Sequence, residues 1–183
     1  MALRAEAALS LLETAVLFVP KLGALTAARA LLAIPKLELV YEEPVTLGPS
    51  QASAETPEGK RNIVPITGGT FEGPRLRGKV MPGEWDWQPA SPGGCFTIHA
   101  DPMIQTNDGA IIDAGNVGKQ CKSSDGRQGA LLTTPTFEAP KGKYDWLNGG
   151  AYVGALDEVT SLNGTPAVRA RFYRAEGAAS AGQ

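Results

Sequence analysis

The sequence predicts an all-β protein whose strands close into an antiparallel barrel. Its 22 glycines and 14 prolines exceed what an all-helical chain would use and fit short strands joined by tight turns. Roughly eight to ten short strand-like segments follow one another at near-regular spacing, the pattern of a barrel or a sandwich. The barrel is preferred because closure removes the edges that so many short strands would otherwise expose. At 183 residues and 43% hydrophobic content, the chain has the size and the apolar material for one domain with an appendage.

The appendage comes first. Residues 1–33 are rich in alanine and leucine and poor in strand formers early on. Pro20 and Gly23 divide two apolar runs, which read as short helices over about residues 4–18 and 25–33. The longer run is too short for a membrane span, and Glu13 interrupts it. Glu6 follows Arg4 too closely for a secretory signal. These residues therefore read as a helical extension that packs on the domain or forms a homo-oligomer. The expected organisation is a helical extension over 1–35, a barrel over 36–176 and a flexible tail over 177–183, in a cytoplasmic rather than secreted protein.

From Lys36 the texture changes. Leu37 to Glu42 alternates as a strand does, and Pro44 to Gly59 reads as a polar loop. Arg61 to Ile66 is a strand leading into the glycine-dense stretch Ile66-Thr67-Gly68-Gly69-Thr70-Phe71-Glu72-Gly73-Pro74. Leu76–Val80 and Trp85–Gln88 flank a Met81–Glu84 turn, and Cys95 to Thr106 is one long strand. Asn107-Asp108-Gly109 is a hairpin signal, and Ala110 to Ala114 returns from it. Val117 to Gly129 reads as polar and mobile. Ala130–Glu138, Tyr144–Leu147, Ala151–Leu156 and Ala167–Tyr173 are four further strand candidates.

Composition excludes several functions. The net charge is −2, and no basic stripe with interleaved aromatics marks a nucleic-acid footprint. One histidine and two distant cysteines cannot assemble a zinc-type ligand set, and no calcium-loop spacing is present, so no metal is expected. Cys95 and Cys121 read as free thiols in a reducing compartment; a bridge needs Cα atoms within about 7 Å, which spacing alone does not establish. Gly68-Gly69 lacks the Gly-Lys-Ser/Thr ending of a phosphate loop, and no Gly-x-Ser-x-Gly elbow occurs.

A set of motifs points further. Pro65 to Gly78 is followed by Val80-Met81-Pro82-Gly83 and Asp86-Trp87-Gln88, then by Asn107-Asp108-Gly109-Ala110-Ile111-Ile112, Pro135-Thr136-Phe137-Glu138, Tyr144-Asp145-Trp146-Leu147-Asn148 and Val153-Gly154. In this order the set resembles the domain-of-unknown-function 3237 family, over about residues 37–174. The resemblance implies a closed antiparallel barrel akin to allene oxide cyclase and, more loosely, to lipocalins. It also implies a link to cofactor-free cyclisation of polyketide-type intermediates, the role of some fungal members. The chain departs from many bacterial members, with Asp113-Ala114-Gly115 in place of Tyr-Val-Arg and Gln105 near the position of an arginine. That departure implies a ligand that is neutral or differently held.

Strand alternation selects the candidate site. On the long strand Cys95, Thr97, His99, Asp101, Met103 and Gln105 share a face. A two-residue turn at Asp108-Gly109 would set Gln105 opposite Ile112 and Asp101 opposite Asn116. His99, Asp101, Gln105 and Asn116 then form a polar patch facing the cavity, with His99 and Asp101 as an acid–base pair. The plain alternative is an outward face with a solvated His–Asp contact. Glu72 is a general acid if burial raises its pKa. Thr67 and Thr70 offer hydroxyl donors to a ligand. Tyr41, Trp87 and Trp146 are aromatic walls, each also a candidate for simple core packing. The expected function is a cofactor-independent cyclase or isomerase acting on a hydrophobic, polyketide-like small molecule. The alternative is a non-catalytic, lipocalin-like binding protein.

Overall fold

The computed structural model describes residues 34–53, 55–57, 59–89, 95–122, 125–127, 131–157 and 160–177. The two expected N-terminal helices and the tail beyond Gly177 lie outside the described residues. The strands are β1 (Lys36–Leu47), β2 (Gln51–Ala52), β3 (Arg61–Glu72), β4 (Arg77–Val80), β5 (Trp85–Pro89), β6 (Phe96–Ala100), β7 (Met103–Thr106), β8 (Ile111–Asp113), β9 (Asn116–Gln120), β10 (Leu131–Pro135), β11 (Tyr152–Leu156), β12 (Thr160–Leu162) and β13 (Thr165–Glu176). Pairing runs β1-β13-β11-β10-β9-β6-β5-β3, and β3 pairs back with β1. The circuit is a closed, eight-stranded antiparallel barrel, as the strand spacing predicts. β4, β7 and β8 extend the wall beyond β5, β6 and β9.

The glycine-dense stretch is itself strand. β3 pairs with β5 through Pro65 and with β4 from Gly69 onward, and it pairs antiparallel with β1 from Ile66 to Glu72. Two strands meet so closely there that a Cβ on Gly69 would lie 2.4 Å from the Pro44 carbonyl oxygen. Only glycine permits this close approach. Pro44, read as the start of a loop, sits inside β1 opposite Arg169.

Three further segments differ from expectation. Tyr144 to Leu147 is not a strand: Asp145–Leu147 forms a 3₁₀ turn. Asn148 secures it, accepting from the Ala139 N–H at 2.7 Å and donating to the Ala139 carbonyl at 3.0 Å. Val117–Gln120, read as part of a mobile segment, belongs to β9, which pairs with both β6 and β10. The long strand over 95–106 is broken at Asp101-Pro102, because proline brings no N–H to the ladder.

Inside the barrel the two ends are unlike. At one end aromatic rings fill the bore. Tyr41 lies 4.8 Å from Phe172 and 5.2 Å from Phe71, centroid to centroid, and Phe137 packs on Tyr152 at 4.7 Å. Ile104, Ile112 and Leu147 are fully buried in the same core cluster. At the other end the inward residues leave a hollow.

Candidate functional site

The hollow has a volume of about 500 Å³, within the size range of small-molecule sites. Its wall is largely apolar: Leu47 from β1, Ile66 from β3, Phe96 and Ile98 from β6, Leu131 from β10 and Val168 from β13. Into this surface the barrel sets Glu43, Asp86, Gln88 and Asn116.

Glu43 is the unusual one. Alternation along β1 sends Glu42 outward and Glu43 inward. Outside, Glu42 accepts from Arg171 Nε at 2.6 Å, and Arg171 also reaches Asp157 at 3.1 Å. Inside, Glu43 is 3% exposed, and its Oε2 has no hydrogen-bond partner within the protein. Burial without a partner penalises the charged form and pushes the carboxyl up to about 8. Glu43 therefore holds its proton at neutral pH. Tyr41, two residues back on the same face, has a buried hydroxyl that is also unpartnered and pushed well above its ordinary value, by burial and then by Glu43.

Asp86 is built differently. Gln88 Nε2 donates to its Oδ2 at 2.7 Å, and the His99 backbone N–H donates to Oδ1 at 3.1 Å. Burial raises its pKa, and these two hydrogen bonds partly offset the rise. Asn62 Nδ2 donates to Gln88 Oε1 at 2.6 Å, and Ser50 Oγ donates to Asn62 Oδ1. A polar chain thus runs from Ser50 to Asp86.

Asn116 and Thr133 complete the inner face. Both are buried, and Asn116 Oδ1 and Thr133 Oγ1 have no hydrogen-bond partner within the protein. Thr133 pairs with Gly118 on β9 and Gly154 on β11. A Cβ on Gly154 would lie 2.0 Å from Thr133 Oγ1, so the glycines make the room this side chain occupies.

The residues expected from the sequence are distributed unevenly. Asn116 lines the cavity, and Tyr41 lies among the aromatic rings with no exposure. His99 Nε2 and Asp101 Oδ2 are 3.4 Å apart, as a pair should be, but both side chains are more than half exposed and neither lines the cavity. The shared cavity face expected for His99, Asp101, Gln105 and Asn116 is corrected by the hairpin. Its loop is three residues, with Gly109 at φ 90°, so Gln105 pairs with Ile111 rather than Ile112. That one-residue shift carries along the strands, pairs Ala100 with Asn116, and leaves His99 and Asp101 on the opposite face. Gln105 is half-buried on β7, away from the hollow. Thr67 and Thr70 are exposed on β3, where the Thr67 hydroxyl donates to Thr46 Oγ1 at 2.9 Å. Glu72 is exposed at the strand's far end. Trp87 is 43% exposed on the outer wall. Trp146 is clasped outside the hollow by the Arg75 guanidinium, 3.8 Å from the ring centroid.

Sequence reading missed Glu43, Asp86 and Gln88. The signal for Glu43 was available: continuing the alternation of Tyr41 through Glu43, Val45 and Leu47 puts a lone carboxyl among inward apolar residues. The two cysteines are also corrected. The register that pairs Phe96 with Gln120 brings Cys95 and Cys121 together, and they form a disulfide with Cα atoms 4.1 Å apart. Among the described residues no group of three metal-ligating side chains converges, and no helix is long and apolar enough to cross a membrane.

The closed antiparallel barrel places the chain among small β-barrel proteins. Among these, the chain belongs to the DUF3237 family, a protein family of unknown function, whose model matches residues 35–175. It is 30% identical over 135 residues to a UPF0311 protein of Rhodopseudomonas palustris, covering 66% of this chain and 88% of that one. A β-barrel-like protein from Acinetobacter baumannii superposes with a TM-score of 0.68 at 29% identity, covering 78% of this chain and 96% of that one. A Penicillium herquei chain described as an enzyme superposes at 0.59 with 23% identity, covering 78% and 96% respectively, and shares the fold.

Proposed function

We propose that the protein is a cofactor-independent cyclase or isomerase that closes a ring in a hydrophobic, polyketide-like molecule held in the barrel. The observation that carries this reading is Glu43, a buried, unpartnered carboxyl in the wall of a largely apolar hollow of about 500 Å³. A carboxyl that keeps its proton at neutral pH is poised as a general acid. Asp86 lines the same hollow and is held in place by Gln88, which suits a general base. Glu43 would deliver a proton to one end of a folded substrate while Asp86 takes one from the attacking group, leaving no net proton change. The apolar wall supplies the remaining advantage by holding a near-attack conformer. The sharing of this fold with a fungal protein described as an enzyme supports the reading.

This proposal places the acid–base role on Glu43 and Asp86 instead of His99, Asp101 and Glu72, which lie outside the hollow. The test is turnover of an apolar hydroxy-alkene followed by mass spectrometry. Glu43→Gln should lower the rate by about a hundredfold or more while remaining folded by circular dichroism, and His99→Ala should leave it unchanged. The reverse result would return the chemistry to the outer wall. A lipophile that binds and leaves unmodified would establish the lipocalin-like binding protein instead.

A further inference from the structure

Four buried polar atoms on the inner face of the barrel have no partner within the protein: Glu43 Oε2, Asn116 Oδ1, Thr133 Oγ1 and the Tyr41 hydroxyl. Glu43 and Asn116 line the hollow, and buried polar groups are nearly always satisfied, so a ligand there would supply the missing bonds. Their chemistry is one-sided. The Asn116 amide oxygen only accepts, the Glu43 oxygen accepts once ionised, and the two hydroxyls can do either. Charge is one-sided too. Glu43, Asp86 and Asp157 line the hollow, and no lysine, arginine or histidine does so among the described residues. Among the described residues, the basic groups beside these three stand outside the hollow: Arg171 holds Asp157 at 3.1 Å, and His99 lies near Asp86.

We propose that the cavity selects apolar ligands whose buried end is a cationic amine, and rejects carboxylates. An ammonium group brings three donors and a positive charge to a surface of unpartnered acceptors and carboxyls. A carboxylate brings acceptors and a negative charge, and meets no cation that could offset its desolvation. On amine binding Glu43 gives up its proton to solvent and becomes the counter-ion. The titratable groups facing it are Tyr41 on its own strand and Asp86 and Asp157 on the cavity wall, none of which can supply positive charge. The inference rests on the reading of the hollow as the ligand site, but not on any turnover within it.

The test uses the full-length protein and three near-isosteric probes: 1-naphthylmethylamine, 1-naphthylmethanol and 1-naphthoate. Calorimetry at pH 7 should show the amine binding about tenfold tighter than the alcohol, with the naphthoate weakest. Repeating the amine titration in buffers of different ionisation heat should reveal proton release, absent in Glu43→Gln. That variant should also lose the amine's advantage while keeping the alcohol's affinity. Equal binding of all three probes, or naphthoate binding as tightly as the amine, would overturn the amine inference and leave the hollow standing as a ligand site. Failure of all three to bind would sink both.

Discussion

The two ends of the barrel are made from the same strands and are opposites. On β1, Tyr41 belongs to the filled end and Leu47 to the hollow one; on β13 the same division separates Phe172 from Val168. At the filled end, large rings meet ring to ring and leave no space. At the hollow end, medium aliphatic side chains stand around the wall and do not meet across it. Glu43 sits on β1 between Tyr41 and Val45, at the boundary. The contrast suggests a division of labour: the aromatic end supplies the packing energy, and the hollow end can therefore tolerate a carboxyl that the fold alone would not select.

The largest effect expected from breaking this arrangement concerns Glu43. Its folded pKa of about 8 lies above the ordinary 4.5, so the folded state retains a proton that the unfolded chain releases. The contribution of this group to stability is therefore greatest below pH 4.5 and is lost as pH rises toward 8. The loss from this group is roughly 3–5 kcal/mol across that window. Urea melts should show that dependence in the wild type and a much flatter profile in Glu43→Gln. A flat wild-type profile would mean the carboxyl is not isolated as described. Next comes a paired truncation. Phe172→Ala, in the filled end, should cost about 3–5 kcal/mol, whereas Val168→Ala, on the wall of the hollow, should cost about 1–2 kcal/mol. Equal costs would erase the distinction between the ends. The smallest effect should come from His99→Ala, which removes an exposed ion pair and should change stability by less than about 0.5 kcal/mol.

The fold was largely legible because it rests on features that alternate or punctuate. Turn glycines and prolines divide the chain, and period-two apolar residues mark most strands, so a closed barrel follows. What was hidden depends on register. The Asn107-Asp108-Gly109 signal locates a hairpin correctly but not its loop length, and that length decides which residues of β9 share the inward face of β6. His99 and Asp101 were selected by chemistry on the wrong side of that decision, while their inner neighbours Phe96, Ile98 and Ala100 look like ordinary core. Glu43 was obscured by Pro44, which usually ends a strand but here sits inside β1, opposite Arg169 on β13. Asp86 sits between two tryptophans that drew attention to the outward face. Cys95 and Cys121 are 26 residues apart in sequence, and only the β6–β9 register brings them face to face.

The three-residue hairpin loop also bears on how such a chain can change over generations. Asp108 at its tip is gripped by the Lys143 ammonium at 2.6 Å, the Tyr144 hydroxyl at 2.8 Å and the Thr106 hydroxyl at 2.5 Å. A lineage that lost one residue here would either tear this anchor or re-pair β7 with β8 so that surface and lining exchanged places. Point substitutions in the hollow should thus be tolerated and retune the ligand step by step, while a change in the length of this loop should not. Relatives should differ freely in what coats the cavity and agree in how many residues turn this corner.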